Sequence, residues 1–150
     1  MLAGVALLRL GKSGSGSAVM RVGRELYLTA KYARAAAVQS GQKVELVVDD
    51  KQGRFWLVKK NGGEDEQGEQ VIADSYSRMY ELAGPMKIER FKTDGQKCLF
   101  YPDGGAEPAL VQIGDGKSSI TVLVNALGRT RLLRGVVDDV ETGRVDLDAK

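Results

Sequence analysis

The side chains that most often carry out catalysis or bind metal ions are scarce in this sequence. The 150 residues include no histidine, which removes the commonest general base and the commonest metal ligand. The single cysteine, Cys98, cannot form an internal disulfide or a thiolate metal cage, and we interpret it as a small apolar strand residue. Serines lack a histidine partner, and no spacing marks a serine–lysine pair. The sequence therefore predicts no catalytic, cofactor-binding or metal site, and a protein that is not an enzyme.

Carboxylates are plentiful, but they fall in predicted turns and loops. Asp49 and Asp50 share one turn, and Glu64, Asp65 and Glu66 share a polar loop. Their spacing pairs no two of them across a cleft for acid–base chemistry, and Asp49 with Asp50 does not match a calcium-binding loop. We interpret them as solvated side chains.

Residues 6–13 have the relaxed spacing of a phosphate-binding loop, with alanine in place of the first glycine. Such a loop needs a preceding strand and small residues whose amides can face phosphate. Here the loop positions carry three leucines and an arginine, and only five residues precede the whole motif. Nucleotide binding is therefore not expected.

A basic cluster near the end of the chain offers a different chemistry. It contains Arg129, Arg131 and Arg134, with Arg144 further on. Residues two apart on a strand face the same side, so Arg129 and Arg131 predict a two-pronged site able to contact phosphates. The alternative is that these are solvated charges that discourage pairing of a strand edge. The acidic residues that follow Val137 would repel a polyanion.

The elements that must position these side chains follow from periodicity. Residues 18–40 carry one apolar stripe at three- and four-residue steps, which predicts an amphipathic helix that ends before Gly41. The members of the stripe are Val19, Val22, Leu26, Ala30, Ala33 and Ala37. Such a helix must bury its stripe, and an antiparallel sheet is the only surface that the rest of the chain offers.

Beyond Gly41 the pattern changes to strands and turns. Residues 43–48 and 54–59 flank a turn and predict a hairpin, and residues 61–68 predict a mobile loop. We interpret Trp56 as a core aromatic residue, with a recognition surface as the alternative. Further strands are predicted at residues 98–101, 109–113, 120–124 and 131–137. The order predicts an α+β domain, with the N-terminal amphipathic helix packed on one or two antiparallel β-sheets.

The first seventeen residues stand apart in composition. Residues 2–10 are apolar apart from Arg9, and they make up roughly half of the ~20 residues that a bilayer-spanning helix needs. Residues 11–17 are mostly glycine and serine and predict a flexible joint. We therefore divide the chain into residues 1–17, a remnant of a membrane helix and a joint, and residues 18–150, a globular domain. The hydrophobic fraction of 43% and net charge of +2 suit such a domain and give no argument for nucleic acid.

Five segments stand in a characteristic order along the chain. They are the apolar residues 2–10, the helical residues 26–37 with Ala33-Arg34, the hairpin 43–58, Phe100-Tyr101-Pro102-Asp103-Gly104, and Gly128-Arg129-Thr130-Arg131. In these segments, from about Leu2 to Leu133, the chain resembles the GspH/FimT family of minor pseudopilins and pilins. The family's leader and the start of its mature chain have no counterpart here. The resemblance therefore implies that this sequence is truncated at its N-terminus.

The resemblance implies a pilin-like fold and a structural subunit of a type II secretion pseudopilus or a type IV pilus-like fibre. Its partners would be other pseudopilins or pilins, with the missing N-terminal helix in the inner membrane and the globular domain, soluble by itself, in the periplasm. Subunits would pack helix against helix, which makes the stripe a candidate partner-binding surface, through Val19, Val22, Leu26, Ala30 and Ala33. The alternative, from a branch of the family that serves DNA uptake, is DNA contact through Arg129, Arg131 and Arg134.

Overall fold

The computed structural model of the chain describes residues 2–60, 69–71, 79–94 and 97–135. Within them one helix, α1, spans Leu2–Ser40 and precedes a run of strands. The strands are β1 (Lys43–Asp49), β2 (Arg54–Lys60), β3 (Glu69–Val71), β4 (Tyr80–Glu81), β5 (Lys87–Thr93), β6 (Cys98–Phe100), β7 (Ala109–Gly114), β8 (Ser119–Val124) and β9 (Thr130–Arg134). The predicted loop at 61–68 and the acidic residues after Val137 lie outside the described residues.

The strands form two antiparallel sheets. Sheet I has the order β3-β2-β1-β6, with β4 also paired to β2, and sheet II has the order β5-β7-β8-β9. The predicted hairpin is β1 and β2, in a register that places Leu46 opposite Leu57. The last described strand ends at Arg134, and the remainder of the predicted span 131–137 passes into residues that are not described.

Helix α1 packs on both sheets, because its apolar stripe is long enough to contact each of them. All six stripe residues, Val19 to Ala37, are at most 2% exposed. They share one core with Val44 and Leu46 of sheet I and with Ile120 and Val122 of sheet II. The prediction of a helix laid on antiparallel sheets is confirmed.

One point of this packing depends on a glycine. A Cβ placed on Gly23 would lie 2.7 Å from Cγ2 and 2.9 Å from Cδ1 of Ile120. Both distances are shorter than carbon atoms tolerate in a packed core, so only glycine lets the helix approach β8 this closely.

The start of the helix differs from the prediction. Residues 11–17, expected as a flexible joint, are helical and continuous with the packed part of α1. Extending an existing helix fixes one residue for each new hydrogen bond, whereas a new helix must first be nucleated, so low-propensity residues can be carried by a well-packed neighbour. Among the described residues no helix is long and apolar enough to cross a membrane. The division at residue 17 and the membrane remnant stay predictions.

Trp56 also differs from the prediction. Alternation along β2 directs Phe55 and Leu57 into the core, at 1% and 0% exposed, and places Trp56 on the other face of sheet I. There it is half-buried beside Arg54, whose guanidinium lies 5.7 Å from the ring centroid. Phe55 is the core aromatic residue of this strand, and it stacks on Tyr80 at 5.2 Å.

Candidate functional site

Three segments that are far apart in sequence meet around one arginine of the helix. Arg34 of α1 donates a hydrogen bond from Nε to the carbonyl oxygen of Gly104, at 2.8 Å, across 70 residues of chain. Gly104 lies in the turn after β6, and Gly128 of the turn between β8 and β9 also packs against the Arg34 side chain. We call this meeting point of Arg34, Gly104 and Gly128 the arginine junction. It joins the helix to both sheets.

The first turn of the junction is built by local hydrogen bonds. The amide of Gly104 donates to the carbonyl of Tyr101 at 2.9 Å, and the amide of Tyr101 donates to the carbonyl of Gly105 at 2.9 Å. Asp103 accepts a bond from the Gly105 amide through Oδ1 at 2.8 Å, as aspartate commonly does in turns. This conformation presents the Gly104 carbonyl to the helix.

Asn125 organises the second turn. Its Oδ1 accepts from the amides of Leu127, at 3.1 Å, and Arg129, at 2.8 Å, while its carbonyl accepts from the amide of Gly128 at 2.9 Å. Gly128 has a φ of 82°, in the left-handed region that favours glycine. A Cβ there would also collide with the Gly104 carbonyl oxygen and the Arg34 side chain. Glycine at 128 is therefore required by both the backbone angle and the close approach.

A cavity of about 340 Å³ opens beside the junction, and most of its lining is cationic. Its lining residues are Lys31, Arg34, Gly128, Arg129, Thr130 and Arg131. Four of the six carry a positive charge, and the described lining contains no carboxylate. The Thr130 hydroxyl oxygen is buried and has no hydrogen-bond partner among the described residues. Such an arrangement attracts anions.

Next to the junction, Tyr101 and Glu107 form a polar pair. The Tyr101 hydroxyl donates to Oε2 of Glu107 at 2.5 Å. This hydrogen bond, followed by desolvation and the nearby negative charges, raises the pKa of Tyr101 to about 12. The phenol is therefore protonated at neutral pH and acts as a structural donor.

The structure brings together two of the three arginines predicted from the sequence. Arg129 and Arg131 both line the cavity, whereas Arg134 is exposed and is not part of the lining. Sequence reasoning missed Lys31 and Arg34. Their three-residue spacing on the polar side of the predicted helix was the available signal, because such residues are neighbours on the helix surface.

The helix stripe is buried, whereas a partner-binding surface would have to be exposed. Val19, Val22, Leu26, Ala30 and Ala33 are buried in the core of the chain itself, so they have no surface left for a neighbour. The assignment of these residues as partner-binding is corrected on that ground. Among the residues of α1 whose side chains the structure describes, the large apolar residues that are exposed are instead Leu28, at 38%, and Val38, at 49%.

Cys98 is confirmed as a buried strand residue of β6. Burial, and after it the charges of Glu45 and Glu107, raises the pKa of its thiol to about 12, so it stays a neutral thiol. In the described part of the chain no group of three or more histidine, cysteine, aspartate or glutamate side chains could hold a metal ion.

Comparison with known proteins identifies the family of this chain. The family model for the type II transport protein GspH matches residues 22–128, which is well over half of the sequence. The chain belongs to the GspH family. All three segments of the arginine junction from Arg34 to Gly128 fall within the match.

Solved structures agree with the fold of a GspH-family protein. Two structures of the minor pseudopilin EpsH from the type II secretion system of Vibrio cholerae superpose on this chain, each with a TM-score of 0.67. Sequence identities are 16% and 17%, and the matches cover 81% of this chain and 99% and 98% of the EpsH chains. No curated protein matches the chain. The pilin-like α+β fold predicted from the resemblance is thereby confirmed.

Proposed function

We propose that this GspH-family chain is a minor pseudopilin, a structural subunit that acts by assembling with other pseudopilins into the fibre of a type II secretion system. The observation that carries the proposal is the family match over residues 22–128, together with a long helix whose buried face is used by its own sheets. A helix committed to its own core on one side has its other side available to neighbours.

The proposed contact face is the exposed side of α1. Leu28 and Val38 are ten residues apart, about 2.8 helical turns, so they lie roughly 80° apart around the axis, both on the side that faces away from the buried stripe. Two exposed apolar residues on one side of a helix suit helix–helix packing between subunits. This face replaces the buried stripe as the assembly surface.

In the proposed setting, the protein bears an N-terminal hydrophobic segment that anchors it in the inner membrane, and the two sheets face the periplasm. The test is to express the chain with a prepilin N-terminal segment together with its companion pseudopilins and to isolate membranes. We expect it in the membrane fraction and in co-purification with the companions. Recovery of this protein in the soluble fraction alone would contradict the proposal.

The contact face has its own matched test. Leu28→Glu with Val38→Glu should weaken co-purification, because an apolar helix contact would then have to desolvate two charged side chains. Met79→Glu changes a residue of similar exposure, 46%, that directly precedes β4 and is not part of the helix, and it serves as the control. Equal co-purification of both variants would move the contact to another surface.

DNA contact during uptake is the second candidate. The observation that favours it is the placement of Arg129 and Arg131 in one cationic cavity. It ranks second because Arg134 lies outside the cavity lining and because the sequence after Val137 is acidic.

A gel-shift titration at low salt separates the two candidates. Phosphate contacts from two to four cations would give sequence-independent binding with a salt slope of magnitude ~2–4. We expect no shift at micromolar protein. Binding that is abolished by Arg129→Ala with Arg131→Ala would favour the DNA role instead.

A further inference from the structure

The cavity beside the arginine junction brings four positively charged side chains together. Lys31, Arg34, Arg129 and Arg131 come from the helix and from the β8–β9 region, and they converge on one concave space. Like charges brought together in this way repel one another, so an anion that enters the cavity removes an unfavourable interaction in addition to forming new ones.

Part of the cavity is held in place before any ligand arrives. The Arg34 guanidinium is oriented by its bond to the Gly104 carbonyl, and the backbone of Arg129 is anchored by the bond from its amide to Asn125. A charged group that is already positioned loses less conformational freedom on binding.

A second, independent observation concerns Thr130. Its hydroxyl oxygen is buried without a hydrogen-bond partner among the described residues, and the residue lines the same cavity. Buried polar atoms in proteins are nearly always paired, so an unpaired one indicates a missing partner, such as a water molecule or an ion. A hydroxyl can donate to an anionic oxygen.

The shape and surroundings of the cavity favour a protein partner over a nucleic acid. A single concavity of about 340 Å³ accepts one or two acidic side chains, whereas a duplex presents a continuous row of phosphates to an extended basic surface. Leu127 precedes the lining residues on the same turn and is 63% exposed. An apolar residue at the rim of a charged pocket suits a protein contact, in which both kinds of group are buried together.

We propose that this cavity binds a carboxylate side chain presented by an acidic segment of a neighbouring pseudopilin. The inference rests on the proposed assembly function and adds to it a specific, charge-based contact. Lys31 and Arg129 supply exposed cations, Arg34 supplies an oriented guanidinium, and Leu127 packs on apolar atoms next to the carboxylate. This contact adjoins the apolar face at Leu28 and Val38, because Lys31 lies three residues from Leu28 on the exposed side of the helix.

The test is an NMR titration of the ¹⁵N-labelled chain at low ionic strength with a hexaglutamate peptide. Hexaglutamine, which has the same length without charge, is the ligand control, and a short DNA duplex is the competing probe. We expect hexaglutamate to shift the amides of Gly128, Arg129 and Thr130 and to leave amides of the β1–β2 turn unchanged.

Paired variants distinguish the cavity from general electrostatic attraction. Lys31→Gln with Arg129→Gln should weaken hexaglutamate binding by at least about fivefold, since two screened charge contacts are lost. Arg24→Gln with Lys117→Gln removes the same net charge from exposed sites outside the cavity and should leave the affinity unchanged.

Three results would overturn the proposal: no shifts with hexaglutamate, equal weakening in both variants, or tighter binding of the duplex at the same amides. The proposed function fails on a different result, the lack of membrane association and co-purification. The two failures are therefore distinguishable.

Discussion

The two sides of helix α1 make different kinds of contact. The buried side, from Val19 to Ala37, is held by apolar packing against both sheets, and its pattern is visible in the sequence as a simple period. The other side carries Lys31 and Arg34, whose environment is created by turns 70 or more residues away. We therefore expect the stability of this domain to depend mainly on the first side, and the proposed recognition to depend on the second.

The largest expected effect is a loss of stability on the buried side, and it can be measured by comparing two leucines of the same helix. Leu26→Ala should lower the free energy of unfolding by about 4 kcal/mol, because it removes a fully buried side chain and leaves a cavity. Leu28→Ala, two positions away and 38% exposed, should change it by less than about 1 kcal/mol. Urea unfolding followed by circular dichroism measures both. Similar losses in the two variants would refute the division between the two sides.

At the arginine junction, Gly128→Ala tests the close approach of the turns. We expect a loss of about 3 kcal/mol, from a left-handed backbone angle together with the collision against Gly104 and Arg34. Gly116→Ala is matched in backbone angle, with a φ of 92°, but nothing lies within 4 Å of its added Cβ. That variant should lose only about 1 kcal/mol. Thermal or urea unfolding of the pair isolates the contribution of the contact.

Arg34 contributes less to stability, because its charge lies at the surface. Arg34→Gln should cost about 1 kcal/mol through the lost hydrogen bond to the Gly104 carbonyl. Arg24→Gln, on an exposed part of the same helix, should be close to neutral. Amide hydrogen exchange should show faster opening of the turn at residues 101–105 in the Arg34 variant alone. Unchanged exchange there would mean that the turn does not depend on this bond.

The smallest effect is the pH dependence of Tyr101. Its pKa in the folded chain is raised from 10.0 to about 12, so the folded state holds this proton more tightly than the unfolded state does. The stabilisation is therefore complete below about pH 10 and is lost as the pH rises towards 12. Ultraviolet titration of tyrosinate should show that Tyr101 titrates late. Glu107→Gln should lower its pKa, whereas a mutant that still titrates late would assign the shift to another cause.

How far the sequence predicts this molecule depends on the range of the interactions. The stripe on α1 and the β1–β2 hairpin were correctly predicted, because helical period, strand alternation and turn residues are all local signals. The prediction for Trp56 was wrong because Phe55, Trp56 and Leu57 are all apolar, so the sequence does not show which alternate residues of the strand face the core. The helical conformation of residues 11–17 was missed because composition ignores the effect of a packed helix on its neighbour.

The candidate site was predicted only in half. Arg129 and Arg131 are two positions apart around the start of β9, so their spacing alone was enough to group them. Their meeting with Lys31 and Arg34 depends on how the helix crosses sheet II, which no local pattern encodes. The same crossing buried the stripe that the sequence had offered as a surface for partners.

Gly23 has a consequence for geometry on a larger scale. Because Gly23 contacts Ile120 of β8, the helix can pack this closely in only one rotational orientation about its own axis. Any other orientation would bring a larger side chain against the same strand. In a fibre assembled on the exposed side of α1, both sheets would then project at a constant angle from the fibre axis. Every copy would present its charged cavity in the same orientation towards the adjoining subunit.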